Sequence, residues 1–153
     1  MKSKIMLSFL LIASSFFGIF TGFETRAKAD TTDSPSTFSF FWNDYYDYTN
    51  ARRKDNTSYM YMRVTNTTDS NRNSFTAQPQ VDSYYGTGTD WVNTGNGGTV
   101  YVGKKYAFTN YAVEDYGTNV QVRFRGYRAS ASALSIDVQW SPDYVSESGV
   151  VIY

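Results

Sequence analysis

The sequence predicts an all-β protein: an antiparallel β-sandwich of jelly-roll or Ig-like type, with roughly seven to nine short strands, after an N-terminal signal helix. Three observations support this prediction. Aromatic residues make up 18% of the chain, and aromatic and β-branched side chains favour pleated sheets. Asn, Gly and Ser recur between the apolar segments, as turn residues do. After the N-terminal segment, no stretch keeps the 3.6-residue apolar period of a helix.

The N-terminal segment has the features of a secretion signal. Lys2 and Lys4 give it a positive start, and the 16 residues Ile5–Phe20 carry no charge. This run is shorter than the roughly 20 apolar residues that a membrane-spanning helix needs. Ala27–Ala29 (AKA) matches the small-x-small pattern of a signal-peptidase site. We therefore expect cleavage before Asp30.

Cleavage determines the size and charge of the mature protein. The predicted organisation is a signal peptide at 1–29, a flexible leader at 30–36 and a single β domain at 37–153. Cleavage removes four basic residues and one acidic residue, which leaves 10 basic and 13 acidic residues and a net charge of −3. A negative balance disfavours nucleic acid and anionic lipid as partners. We predict a secreted, extracellular protein that binds no nucleic acid and does not insert stably into membranes after cleavage.

Strand signals follow one another along the mature chain. The predicted strands are Thr37–Trp42, Ser58–Thr65, Ser74–Tyr84, a short one from Trp91, Thr99–Val102, Tyr106–Tyr111, Asn119–Tyr127, Ala133–Trp140 and Gly149–Tyr153. Asn43–Asp55 is predicted to be a long aromatic-bearing loop. Pro79 weakens the third strand and predicts an edge position or a bulge. Alternation places Met60, Met62 and Val64 on one face of the 58–65 strand. It likewise directs inward the apolar residues of the 133–140 strand, which are Leu134, Ile136, Val138 and Trp140. In the 119–127 strand, alternation places Arg123 and Arg125 opposite the apolar face.

Missing residue types exclude several kinds of chemistry. The chain has no His and no Cys, which excludes a Ser-His-Asp triad, a cysteine nucleophile, a His-ligated zinc and thiol redox chemistry. We predict a protein that is not an enzyme and that uses no cofactor and no metal. Asp69–Asn73 (DSNRN) alternates oxygen ligands like the start of a calcium loop, but Ser74 and Gln80 replace the required Gly and Glu. A polar turn fits this segment better.

Carboxylate chemistry remains open as an alternative. A glycosidase needs only two acids about 5–10 Å apart. The candidates are Asp44 and Asp47 in the aromatic loop, the neighbours Glu114 and Asp115, and Asp137. Each has a simpler interpretation as a surface carboxylate.

The excess of tyrosine is the positive indication of function. Tyrosine offers a large rigid contact surface and a hydroxyl, and it recurs at recognition surfaces. The candidate ligand-binding residues are Tyr45, Tyr46, Tyr48, Tyr59, Tyr61 and Arg63. The alternative is that these tyrosines cover a half-buried sheet face. The basic cluster Arg52–Lys54 (RRK) is predicted to be a solvated loop.

Two short segments, together with the signal peptide, carry a family resemblance. They are Ala51–Lys54 (ARRK), which precedes the Ser58–Val64 strand, and Trp140–Asp143 (WSPD). They resemble an uncharacterised family of small secreted proteins from Gram-positive bacteria, a domain of unknown function. The resemblance implies secretion and a compact β domain over most of the mature chain, and it transfers no catalytic residue.

Three functions are compatible with these features. The first is a secreted binding module that recognises cell-wall glycan or a surface protein through a Tyr-rich face. The second is a bacteriocin-like or toxin-like antagonist, although the sequence offers no amphipathic helix for direct attack on a membrane. The third is the carboxylate-dependent hydrolase.

Overall fold

Strands dominate the computed structural model, which describes residues 29–84, 86–130 and 132–153. They are β1 (Ser34–Phe40), β2 (Tyr46–Tyr48), β3 (Arg52–Lys54), β4 (Met60–Thr67), β5 (Ser74–Asp82), β6 (Trp91–Asn93), β7 (Gly98–Tyr101), β8 (Lys105–Phe108), β9 (Val120–Tyr127), β10 (Leu134–Ser141) and β11 (Val150–Ile152). A short helix, α1 (Ala112–Tyr116), precedes β9. Among these described residues, no helix is long and apolar enough to cross a membrane. The predicted signal peptide lies outside them, apart from Ala29.

The first sheet has five strands in the order β1-β10-β4-β8-β11. Its pairs are antiparallel except for β8 and β11, which run parallel. Met60, Met62 and Val64 of β4 are fully buried, which confirms the face predicted from their alternation. In β10, Ile136 and Trp140 alternate with half-buried polar residues in the same way.

The second sheet has six strands with β9 and β5 at its centre. One side of β9 pairs with β5, and the other side pairs with β2 and then β3. On its far side, β5 pairs with β7 through Ser74–Ala77 and with β6 through Gln80–Asp82. Pro79 lies between these two partners, where its carbonyl accepts from the Thr94 amide at 3.0 Å. β5 is therefore an interior strand, and the missing N–H of Pro79 faces the gap between β6 and β7.

Side chains from both sheets meet in one core. The ring of Phe75 on β5 lies 4.7 Å from that of Phe38 on β1, and Phe124 on β9 packs edge-on against Trp140 on β10 at 5.6 Å. Gly126 allows this approach, because a Cβ there would lie 2.6 Å from the ring of Phe38. The missing side chain at Gly126 therefore leaves room for the ring of Phe38 against β9.

The structure confirms the all-β class and changes two segment assignments. Residues 43–55, predicted to be a loop, contain β2 and β3. β1 begins at Ser34, inside the predicted leader of residues 30–36, because it pairs with β10 from Ser34 opposite Trp140. The described chain therefore forms eleven strands rather than seven to nine. Strands of three residues are too short to show a clear alternation.

The prediction that Arg52–Lys54 is a solvated loop is wrong. Lys54 belongs to β3, and its side chain has 0% exposure. Its Nζ donates to the Asp143 carboxylate at 2.9 Å and to the Pro142 carbonyl at 2.7 Å. Asp143 is equally buried, and it follows β10 in the other sheet. Burial lowers the pKa of Lys54, whereas the hydrogen bond and charge of Asp143 act in the opposite direction.

Arg52 extends this contact between the sheets. Its guanidinium donates to the Trp140 carbonyl at 2.7 Å and to the Asp30 carboxylate at 2.6 Å, and it lies 5.2 Å from the centroid of the Trp140 ring. The segments Ala51–Lys54 and Trp140–Asp143, which carry the family resemblance, are thus in direct contact. The two segments form one contact between the sheets, which we call the buried junction.

We expect Lys54→Met to lower the free energy of unfolding by about 3–5 kcal/mol, because it leaves the buried Asp143 carboxylate without its cation. The double variant Lys54→Met/Asp143→Leu should recover much of this loss, since it buries no unpaired charge. Arg53→Met is the matched control, because Arg53 is exposed on the same strand, and it should change stability by less than about 0.5 kcal/mol. Urea denaturation measures all three. Equal losses in the single and double variants would contradict the role of the ion pair.

Candidate functional site

The outer side of the six-stranded sheet combines arginines with aromatic rings. Along β9, Val122 and Phe124 point into the core, so Arg123 and Arg125 point outward. The register places Tyr46 opposite Tyr127 on the same outward side. We call this surface the arginine–aromatic face, and its residues are Tyr46, Tyr48, Gln80, Trp91, Arg123, Arg125 and Tyr127.

The guanidinium of Arg123 is held between two aromatic rings. Its central carbon lies 4.1 Å from the ring centroid of Tyr48 and 4.1 Å from that of Trp91. Cation–π contacts form within about 6 Å of a ring centroid, so both rings interact with the charge. Tyr48 lies on β2 and Trp91 on β6, so the stack spans the width of the sheet.

Hydrogen bonds fix this stack in place. Arg123 Nε donates to Gln80 Oε1 at 3.0 Å, and Gln80 Nε2 donates to Asn93 Oδ1 at 3.2 Å. The indole N–H of Trp91 donates to the Gly88 carbonyl at 2.9 Å. Arg123 and Trp91 thus have defined orientations before any ligand arrives, which reduces the entropy lost on binding.

A second cation–π pair lies next to the first. Arg125 lies 5.4 Å from the ring centroid of Tyr46, and the rings of Tyr46 and Tyr127 are 5.0 Å apart. The Nε of Arg125 is buried and has no hydrogen-bond partner among the described residues. The rings of Tyr46, Tyr48 and Tyr127 remain exposed. The face therefore presents rings for stacking beside fixed positive charges.

The arginine–aromatic face keeps its positive charge. Burial lowers the pKa of Arg123, the nearby Tyr48 raises it, and the like charge of Arg125 lowers it further. An arginine is not deprotonated under ordinary conditions, so the Arg123 guanidinium stays charged. A protein of net negative predicted charge thus carries a fixed cation on this sheet face.

A cleft of about 850 Å³ continues the face beyond Arg123. Its walls include Asp82 of β5 and Gln121 of β9, the next outward positions after Gln80 and Arg123. The buried Asp82 carboxylate accepts from the Gly88 amide at 2.7 Å, which shapes the loop at the cleft rim. A ligand longer than one ring could extend from the stack into this cleft.

The other predicted site residues lie on the other sheet. Tyr59 precedes β4, and Tyr61 and Arg63 belong to it. Tyr144 stacks on Tyr61 at 5.8 Å and on Tyr59 at 6.3 Å. Tyr61 is consequently only 6% exposed, and burial is the main cause that raises its pKa.

The structure thus divides the six predicted site residues between two sheets. Tyr46 and Tyr48 belong to the arginine–aromatic face, and Tyr45 is exposed just before β2. Tyr59, Tyr61 and Arg63 form no common surface with them. Sequence reasoning missed Gln80, Trp91, Arg123, Arg125 and Tyr127 as site residues. The outward alternation of Arg123 and Arg125 was a signal for part of this set, but the partners come from strands distant in sequence.

Asp47 and Asp137, two of the five candidate acids for hydrolysis, accept hydrogen bonds from the chain itself. Asp47 accepts from the Ser39 amide at 2.7 Å, and Asp137 accepts from the Thr37 hydroxyl at 2.7 Å. Glu114 and Asp115 lie in α1, not on a strand. No group of three or more acidic side chains within residues 29–84, 86–130 and 132–153 is arranged to hold a metal ion. Asp69 pairs with Arg72 at 2.7 Å and shapes the polar turn predicted there.

A smaller cleft of about 330 Å³ contains three acids. Asp33, Asp143 and Glu147 line it, together with Tyr61. Asp143 is paired with Lys54, and Glu147 accepts from Lys105 Nζ at 2.8 Å. Two of the three carboxylates are therefore engaged with cations, which does not favour a proton-shuttling pair.

The family model described as a protein of unknown function, DUF2712, matches residues 24–144. The chain belongs to this family. The match includes every residue of the arginine–aromatic face and both segments of the buried junction. No curated protein and no solved structure matched the chain.

We expect acid to destabilise the wild type through Glu147. Hydrogen bonds, first from Lys105 and then from Tyr61, lower the pKa of Glu147 below its ordinary value of 4.5. The associated stabilisation is present above that value and is lost as the pH falls through the folded-state pKa. Thermal unfolding midpoints below pH 4.5 should therefore fall more steeply in the wild type than in Glu147→Gln. Lys105→Met should flatten the profile similarly, and identical slopes in all three would refute this assignment.

Proposed function

We propose that the chain is a secreted, non-enzymatic β-sandwich module that binds cell-wall glycan of Gram-positive bacteria through the arginine–aromatic face. The observation that carries this proposal is the Arg123 guanidinium held 4.1 Å from each of two rings, Tyr48 and Trp91. Such a stack gives a rigid surface of mixed polar and aromatic character. Secretion is supported by the signal features of residues 1–29.

The composition of the face favours an anionic glycan over an apolar protein surface. Exposed rings offer flat surfaces against which the C–H faces of sugars stack, and the side chains of Gln80, Arg123 and Arg125 carry hydrogen-bond donors. Arginine suits carboxylate and phosphate groups because of its planar, forked donors. The proposed ligand class is therefore a wall polymer with sugar rings and carboxylate or phosphate groups.

The shape of the sheet also supports a linear polymer. Tyr46 and Tyr48 lie on β2 and Trp91 lies on β6, on opposite sides of β9 and β5, and the 850 Å³ cleft continues beyond them. A polymer crossing the strands would meet rings and guanidinium groups in succession. Several weak contacts along one chain add up to useful affinity.

We expect Tyr48→Ala/Trp91→Ala to reduce wall binding by roughly tenfold or more, because each aromatic contact contributes on the order of 1 kcal/mol. Arg123→Gln should weaken binding and reduce its dependence on salt, whereas Arg123→Lys should retain part of both. Tyr59→Ala is the matched control, since Tyr59 is an exposed tyrosine on the other sheet. The measurement is co-sedimentation of the exported protein with isolated cell wall at low and high salt, with folding checked by circular dichroism.

Protease treatment of the wall distinguishes the two kinds of ligand. Binding that survives the treatment supports a glycan, and binding that is lost identifies a surface protein and overturns the glycan proposal. Wild-type binding by the folded Tyr48→Ala/Trp91→Ala variant would show that another surface is used.

A further inference from the structure

Asp30, the residue that follows the predicted cleavage site, is fixed at four points. Its backbone nitrogen donates to Asp143 Oδ2 at 2.8 Å, and its carbonyl accepts from the Asp143 amide at 3.3 Å. Its carboxylate accepts from Arg52 at 2.6 Å and from the Thr32 amide at 3.3 Å. Asp30 is therefore part of the buried junction.

The partner of the Asp30 nitrogen is a buried carboxylate. Asp143 has 0% side-chain exposure, and its Oδ1 accepts from Lys54 Nζ at 2.9 Å and from the Ser58 hydroxyl at 3.4 Å. Its Oδ2 accepts from the nitrogen of Asp30. The two oxygens thus face two different nitrogen donors, of which only Lys54 is a cation while Asp30 remains in an amide bond.

We propose that Asp143 is the binding site for the mature N-terminus, so that removal of the signal peptide completes the buried junction with a new ion pair. The inference uses the predicted cleavage before Asp30, which belongs to the secretion part of the proposed function, and it does not involve the arginine–aromatic face. Water adds across the Ala29–Asp30 bond, and the signal peptide leaves with the Ala29 carboxylate. The nitrogen of Asp30 becomes an amine, which takes up a proton at neutral pH.

The change at this nitrogen strengthens an existing contact. A neutral N–H becomes an ammonium group at the same position, and charge-assisted hydrogen bonds are roughly twice as strong as neutral ones. Cations and carboxylates then alternate through the junction, in the order Lys54, Asp143, the Asp30 ammonium, the Asp30 carboxylate and Arg52. A buried carboxylate gains from a second cation because few solvent dipoles stabilise it.

The proposal has a defined pH dependence. The groups that face the amine are the carboxylates of Asp143 and Asp30 and the cations Lys54 and Arg52, and Asp33 and Glu147 line the adjacent cleft. The buried Asp143 should raise the amine pKa above its unfolded value of about 8. The stabilisation is then fully present below about pH 8 and is lost as the pH rises through the folded-state pKa.

Two full-length precursors test this inference. One is the natural chain, and the other has a single Gly inserted between Ala29 and Asp30, so that cleavage after Ala29 leaves Asp30 in an amide bond. Both are expressed in a secreting Gram-positive host, and intact mass identifies the first residue of each exported product. Thermal unfolding midpoints are measured from about pH 6 to 10, and the pH dependence of acylation at the N-terminal amine gives its pKa.

We expect the natural product to have the higher unfolding midpoint at pH 7 and to lose this advantage as the pH approaches about 10. Its amine should bind a proton roughly tenfold more tightly than the amine of the inserted form, a shift of about one pKa unit. Equal midpoints and equal amine pKa values would overturn the proposal, as would a natural product whose first residue is not Asp30. Because the labelling compares two exported, folded proteins, the result does not depend on a variant of Asp143.

Wall co-sedimentation of the same two products keeps the inference separate from glycan binding. The inserted Gly lies outside the arginine–aromatic face, so both products should bind the wall equally. Loss of the stability difference with wall binding intact would refute the N-terminal ion pair alone. A stability difference in proteins that do not bind the wall would support the ion pair and refute the glycan proposal.

Discussion

Lys54 and Asp143 constrain the fold because neither charged side chain can be buried without the other. Both side chains have 0% exposure, and an isolated charge at such a site is costly unless it is paired and hydrogen-bonded. The Pro142 carbonyl, the Ser58 hydroxyl and the Asp30 nitrogen complete the surroundings of the two charges. For these contacts to form, the segment at Asp30, β3, the approach to β4 and the turn after β10 must all meet. The pair thus constrains four segments and both sheets.

The same constraint extends towards the arginine–aromatic face. β3 is anchored by Lys54 and pairs with β9 at Val122, while β2 pairs with β9 near Arg125. Between β2 and β3, the buried Thr49 makes two hydrogen bonds to the backbone of Phe124. The Thr49 amide donates to the Phe124 carbonyl at 3.0 Å, and the Phe124 amide donates to the Thr49 hydroxyl at 2.9 Å. The chain from β2 to β3 is therefore attached along β9 at three places. This attachment fixes Tyr48 against Arg123. The pairing of β2 and β3 with β9 therefore positions both the buried junction and the arginine–aromatic face.

The alternation of apolar and polar residues predicted the strands that are long enough to show this pattern several times. β4, β9 and β10 have eight residues each, and their buried faces were predicted from sequence. β2 and β3 have only three residues each. Lys54 was assigned to the surface because lysine is a charged residue that is rarely buried. Its burial is determined by Asp143, 89 positions away, which no local pattern shows. The arginine–aromatic face was predictable only in part. Tyr46 and Tyr48 were recognised as candidates, and Arg123 was assigned to the outer side of its strand. That these residues meet depends on pairing between strands distant in sequence, which no local pattern shows.

What a tyrosine does in this protein depends on whether another segment covers its sheet. Tyr61 lies on the outer side of the five-stranded sheet, where the chain after β10 returns and stacks Tyr144 over it. Glu147, held by Lys105, then closes this cover, and Tyr61 becomes a structural residue. No described segment returns in this way over Tyr46 and Tyr48, whose rings stay exposed beside the guanidinium groups. Rings that another segment covers stabilise the fold, whereas rings that stay exposed beside a fixed cation remain accessible. This difference supports the proposal that the six-stranded sheet is the binding side.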